Sequence, residues 1–182
     1  MQTTTESARL GGTQLRRIVF TEEEIGARVR ELGREITATY SPGDRLLLVG
    51  LLKGSFLFLA DLVRAIDLPL HVDFLVVSSY GTEKTSSGNV RLLYDAEEDM
   101  KGRAVVLVED IVDSGTTLNR LMPMLEQRQP KSLEICALLH KRRTSADVEP
   151  RWVGFDAPNE FLVGYGLDYA EDFRHLPYVA SL

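Results

Sequence analysis

The sequence predicts an α/β domain built on a mainly parallel, twisted sheet flanked by helices. Two observations carry this. Leu46 to Val49 and Ala104 to Val108 are apolar runs without alternation, as expected of strands buried on both faces. Segments of helical periodicity lie between such runs, the order that parallel crossovers require. No internal repeat or low-complexity linker interrupts the 182 residues. Residues 1–20 are therefore expected to be a partly disordered N-terminal segment, and residues 21–182 a single domain.

Thr21 opens the first helix: Glu22, Glu23 and Glu24 suit a capping box and the positive end of the helix dipole. Ile25, Val29, Leu32 and Ile36 then recur on one face. Ser41-Pro42-Gly43-Asp44 is a turn that leads into the first buried strand. After Lys53-Gly54 the pattern is helical from about Ser55 to Ile66. A second strand is expected over His71 to Ser78, rich in β-branched residues. Ser79 to Asn89 reads as a solvated loop, and Val90 to Tyr94 as a returning strand. Ala104 to Val108 is the cleanest strand and precedes a helix from about Thr116, which Pro123 should end or kink. Leu133 to Leu139, Trp152 to Phe155 and Glu160 to Val163 complete the strands. In open sheets of this kind ligands bind at the carboxyl ends of the strands, so the residues just after Val49, Val108, Leu139 and Val163 are the candidates for a site.

Composition narrows the function classes. Lys plus Arg number 21 and Asp plus Glu 27, a formal net charge of −6, which argues against a nucleic-acid polymer as partner. Cys136 is the only cysteine, so neither an intrachain disulfide nor a cysteine-based zinc cluster can form, and it reads as a small buried hydrophobe. The apolar stretch Leu46 to Val63 is broken by Lys53, Gly54 and Asp61, so no membrane span is expected. A cytoplasmic location is the expectation.

The chemistry concentrates in Val105 to Leu118. An apolar strand is expected to end in two adjacent acids, Glu109 and Asp110, followed after two apolar residues by Asp113-Ser114-Gly115-Thr116-Thr117 at a helix start. Gly115 allows close backbone approach, Ser114, Thr116 and Thr117 supply hydroxyls, and free N–H groups of the first helical turn attract an anion such as phosphate. Carboxylates beside a phosphate repel it unless they meet ribose hydroxyls or a divalent cation. Asp-Ser-Gly alone could be no more than a helix cap. Neither a G-x-x-x-x-G-K-[ST] loop nor a G-x-G-x-x-G loop occurs.

This string resembles the phosphoribosyl-pyrophosphate (PRPP) signature of type I phosphoribosyltransferases. Leu52-Lys53-Gly54, Ser79-Tyr80-Gly81, Leu139-His140-Lys141-Arg142 and Phe161 to Tyr169 are similar to segments of the 6-oxopurine branch, in the same order, from about Phe20 onward. The resemblance implies the type I fold with a small hood formed from the chain ends. It also implies a purine-salvage reaction in which PRPP and hypoxanthine or guanine give the nucleotide and pyrophosphate with Mg2+, in a homodimer or homotetramer. By the same resemblance Asp113 takes the purine N7 proton and Asp113 to Thr117 hold the 5′-phosphate. Glu109 and Asp110 meet the ribose hydroxyls or metal, and Asp168 the metal. Lys53, Gly54, Ser79, Tyr80 and Arg174 bind pyrophosphate, with a cis peptide between Leu52 and Lys53. Lys141, Phe161 and Leu162 bind the purine, and the loop Ser79 to Asn89 closes over the reacting centre.

On the residues alone, Lys53 reads equally as a solvated lysine, Lys141 as solvated, Arg174 as a surface cation and Phe161 as a core aromatic. His140 and Arg142 receive no role. Two other functions remain open: an RNA-binding regulator on the same fold, and a transferase that prefers xanthine.

Overall fold

The computed structural model describes residues 9–79, 90–142 and 148–182. Among the described residues six strands form the main sheet: β2 (Leu47–Leu52), β3 (His71–Ser79), β4 (Val90–Tyr94), β5 (Ala104–Val112), β6 (Ser132–His140) and β7 (Trp152–Asp156). Their order across the sheet is β4-β3-β2-β5-β6-β7. All neighbours are parallel except the edge strand β4, which returns antiparallel to β3. The chain builds outward from β2 to β3 and β4, then crosses back to β5 on the other side of β2. The carboxyl ends of β2 and β5 therefore flank the topological switch point, where open α/β sheets bind ligands.

Two layers cover this sheet. Helices α1 (Glu22–Thr39) and α2 (Phe56–Ala65) pack on one face, through Ile25, Val29, Leu32, Phe58 and Leu62 against Leu48, Val106 and Cys136. Helix α3 (Thr116–Glu126) covers the other, through Leu118, Leu121 and Leu125 against Val49, Leu107 and Ala137. Strand positions thus alternate between two dry layers, which is why β2 and β5 carry unbroken apolar runs. Helix α1 begins with the expected capping box between Thr21 and Glu24. Arg28 fixes α1 to the far edge of the sheet, its guanidinium donating to the Gly154 and Val153 carbonyl oxygens at 3.1 and 2.9 Å.

A second, antiparallel sheet forms the hood from β1 (Arg17–Phe20), β8 (Leu162–Val163) and β9 (Val179–Ser181), with β9 in the centre. Its first strand therefore falls within residues 1–20, and its last is one that no sequence signal marked. Phe20 stacks on Phe155 with ring centroids 4.3 Å apart, joining the hood to the main sheet.

Three expectations are corrected. Strand β5 continues four residues past Val108, because β6 goes on pairing with it through Ile111–Leu139 and Val112–His140; Glu109 and Asp110 lie inside the strand rather than after it. Helix α3 runs through Pro123 to Glu126: Pro123 lacks one donor, but its own carbonyl still accepts from Gln127 at 3.3 Å, and Leu125 beyond it is fully buried. Strand β8 starts at Leu162, so Glu160 and Phe161 precede it. Cys136 is fully buried, which pushes its thiol pKa up and keeps it unreactive. Among the described residues no helix is long and apolar enough to cross a membrane.

Candidate active site

Two concavities meet at the carboxyl ends of β2 and β5, and Glu109 and Thr117 line both. The smaller, about 110 Å3, is the turn between β5 and α3, walled by Asp113 to Leu118. Gly115 caps the helix in the left-handed region at φ 71°, a conformation that costs glycine little. Ser114 Oγ lies 2.9 Å from Thr116 Oγ1, so the two hydroxyls bond each other across the mouth of the helix N-terminus. The turn is thus a ready anion cradle of N–H and O–H groups.

The larger cleft, about 430 Å3, lies between Lys53 and Gly54 after β2, the acids of β5, and the hood segment with Asp168, Glu171 and Arg174. The Leu52–Lys53 peptide is cis, as the resemblance implies. Gly54 and Gly166 allow the walls to meet. A Cβ on Gly54 would lie 1.8 Å from Asp110 Oδ2, and one on Gly166 would lie 2.0 Å from the Gly54 carbonyl oxygen. Arg174 spans the hood wall: Nη1 donates to the Gly166 carbonyl oxygen at 2.8 Å, and Nη2 lies 2.9 Å from Asp168 Oδ1. Its Nε is buried and finds no hydrogen-bond partner among the described residues, a donor awaiting an acceptor.

The cleft floor is electrostatically costly. Glu109 has a buried Oε2 without a hydrogen-bond partner among the described residues, and burial first, then the adjacent Asp110 charge, hold its pKa well above the ordinary glutamate value. Burial likewise pushes Asp110 up to about 6, against the opposing pull of backbone N–H groups and Arg174. Two carboxyls reluctant to ionise suit a cation, yet among the described residues no cluster of three or more candidate ligands could hold a metal unaided. The donor set fits a Mg2+ that arrives with phosphate oxygens of its own.

The residues expected to bind the purine lie beside the cradle. Lys141 comes directly after β6, its N–H donating to the Val112 carbonyl at 2.9 Å, and its Nζ lies 3.2 Å from Asp113 Oδ2. Phe161 is not a core aromatic: it is 55% exposed and meets Tyr169 edge to face at 5.6 Å. Leu162 is buried in β8. The side chain of Ser79, at the end of β3, and all of Tyr80 and the rest of the loop to Asn89 lie outside what is described. Sequence reasoning missed Glu171, which reaches both Lys53 and Arg174, and the Tyr165–Asp61 hydrogen bond of 2.6 Å that ties the hood to α2. The Lys53–Glu171 and Tyr165–Asp61 contacts left no signal in the sequence, since each joins residues over a hundred positions apart. A wider groove of about 700 Å3 between α1, α2 and the hood holds none of the predicted site residues.

A switch-point anion cradle joined to a cation-lined, acid-floored cleft fits a phosphoribosyltransferase, and residues 18–170 match the phosphoribosyl transferase domain. Hypoxanthine phosphoribosyltransferase of Salmonella typhimurium is 50% identical over 167 residues, 91% of this chain and 94% of that one. Hypoxanthine-guanine phosphoribosyltransferase of Dictyostelium discoideum is 48% identical over 171 residues, 92% of this chain and 95% of that one. The crystal structure of a Staphylococcus aureus hypoxanthine phosphoribosyltransferase superposes with a TM-score of 0.89 at 40% identity, covering 100% of this chain and 96% of that one. The chain belongs to the hypoxanthine(-guanine) phosphoribosyltransferases, pentosyl-transferring enzymes of purine salvage.

Proposed function

We propose that this protein transfers the phosphoribosyl group of PRPP to hypoxanthine or guanine, releasing pyrophosphate. The observation that carries the purine assignment is the Lys141–Asp113 pair. An ammonium donor and a carboxylate acceptor 3.2 Å apart are complementary to the adjoining O6 acceptor and N7–H donor of a 6-oxopurine. Adenine, with an amino group in place of O6, would set donor against donor. The exposed face of Phe161 offers a stacking surface for the ring, and the Leu162 backbone lies beside it.

In the reaction, the purine N9 lone pair bonds to C1′ as the C1′–oxygen bond to pyrophosphate breaks, and Asp113 takes the N7 proton. Ser114 to Thr117 and the N–H groups of α3 hold the 5′-phosphate and so fix the ribose over Glu109 and Asp110. Lys53, the Gly54 backbone and Arg174 receive the departing pyrophosphate, with Ser79 and Tyr80 assigned to the same group by family resemblance. Glu109, Asp110 and Asp168 would hold Mg2+, which when bound would supply positive charge to offset the negative charge developing on the leaving group. Loop 79–89 is proposed to exclude water, which would otherwise capture the ribosyl cation.

The test is a steady-state panel of hypoxanthine, guanine, xanthine and adenine with PRPP and Mg2+. The expected result is turnover of one or more 6-oxopurines, with adenine poorer by roughly 10³-fold or more in kcat/KM, since a base of the wrong polarity leaves the pair unsatisfied. Asp113→Asn should lower kcat by roughly 10²- to 10⁴-fold while PRPP still binds. Absence of turnover with every base would sink the assignment and favour an RNA-binding regulator. Unimpaired turnover in the Asn variant would remove Asp113 as the base.

A further inference from the structure

Lys53 and Arg174 approach the pyrophosphate cleft from opposite walls, one after β2 and the other in the hood, and a single carboxylate joins them. Glu171 Oε2 lies 3.1 Å from Lys53 Nζ and 3.3 Å from Arg174 Nη2. A glutamate carboxylate between two cations is anionic at neutral pH. This position is set by the backbone as well as by charge. Ala170, Glu171 and Phe173 all have positive φ, at 53°, 70° and 74°, which non-glycine residues seldom adopt. The Glu171 N–H is anchored by Asp168 Oδ2 at 2.9 Å. A tight, left-handed turn thus delivers a negative oxygen to the midpoint of two cations in a cleft proposed to receive a diphosphate. Arg174 does not depend on Glu171 for its place, because Gly166 and Asp168 hold it independently.

We propose that Glu171 is a displaceable counter-anion of the pyrophosphate subsite: its carboxylate bridges Lys53 and Arg174 before the ligand arrives and is exchanged for diphosphate oxygens when PRPP or pyrophosphate binds. This rests on the proposed assignment of the cleft to pyrophosphate. The exchange sets affinity and selectivity together. A ligand with one weak negative charge gains little by replacing a carboxylate already in place, whereas a multiply charged diphosphate satisfies both cations. Both side chains of the Lys53–Glu171 pair are 66% exposed, so the pair is weak and can open readily. The bridge therefore lowers affinity without closing the site.

Calorimetric titration of the full chain with inorganic pyrophosphate, with and without Mg2+, tests this. Glu171→Gln keeps the turn and removes the charge, and should tighten pyrophosphate binding by roughly 1.5- to fivefold, the range expected for an exposed ion pair. Glu171→Asp, which shortens the arm, should tighten it by a smaller step. The PRPP KM should fall in parallel while the hypoxanthine KM stays unchanged. Equal pyrophosphate affinity in wild type and Glu171→Gln overturns the counter-anion and leaves the subsite standing. Weaker binding in both variants overturns it in favour of a direct role for Glu171 in holding the ligand. Wild-type protein that binds no pyrophosphate, with or without Mg2+, overturns the subsite and the counter-anion together.

Discussion

The acids on the cleft floor are single residues held in a form they do not prefer. The folded-state pKa of Asp110 is raised to about 6 by burial, so the folded chain binds more protons than the unfolded chain between roughly pH 4 and 6. Stability contributed by the neutral form is present at low pH and lost as pH rises through that window. Asp110→Asn should consequently stabilise the ligand-free protein at pH 7.5 by about 1–3 kcal/mol after allowance for screening by cleft water. The gain should shrink toward zero near pH 4, and thermal denaturation at the two pH values measures it. A variant no more stable than wild type at pH 7.5 would refute the electrostatic cost. The same substitution should weaken Mg2+–pyrophosphate binding, so stability and function trade against each other at this position. Glu109 and Asp110 were legible as a pair in the sequence; their burial inside a strand was not, because it depends on how far β6 continues to pair with β5.

Between elements, the decisive contacts are close approaches of backbone. Loop 53–54 is seated directly on the Asp110 side chain, and the hood turn at Gly166 is seated on loop 53–54. Gly54→Ala would place its Cβ 1.8 Å from Asp110 Oδ2, and no rotamer of Asp110 can be chosen without moving an acid of the site. The variant should lose roughly 10²-fold or more in kcat/KM, since misplacement by about 1 Å carries that cost, while the α/β core retains its circular dichroism. Wild-type kinetics in this variant would mean that the loop adapts freely. Strands and helices of the main sheet were readable because each follows local rules: the capping box at Thr21, the 3.6-residue period of α1, the unbroken apolar runs of β2 and β5. Pro123 misled because local propensity was outweighed by burial of Leu125 against the sheet. Read on its residue type alone, Phe161 misled in the opposite direction, since nothing in a run of apolar letters marks the one that faces solvent.

In the architecture taken together, the hood is the part least visible in the sequence. Strand β1 has four residues and β9 three, too short for any periodicity, and their pairing joins positions 17 to 20 with 179 to 181. Deleting residues 1–20 should remove the β1 edge, the Phe20–Phe155 stack and the Arg17–Glu160 ion pair. Loss of the buried area of Val19 and Phe20 corresponds to about 2–4 kcal/mol, or a Tm lower by roughly 5–15 °C. The purine KM should rise more than the PRPP KM, because β8, which begins at Leu162, pairs with β9, whereas the phosphate cradle belongs to the main sheet. Equal changes in both would show that the hood serves stability alone. The pairing of β1 with β9 also sets an order of assembly. A nascent chain that has emerged through β6 already carries β2, β5, α3 and the cradle, all formed from neighbours in the main sheet. The proposed seat for the base cannot close until Val179–Ser181 has left the ribosome and found a strand made about 160 residues earlier, the slowest kind of contact to form. Truncated translation products should therefore retain affinity for ribose phosphates but have no grip on a purine.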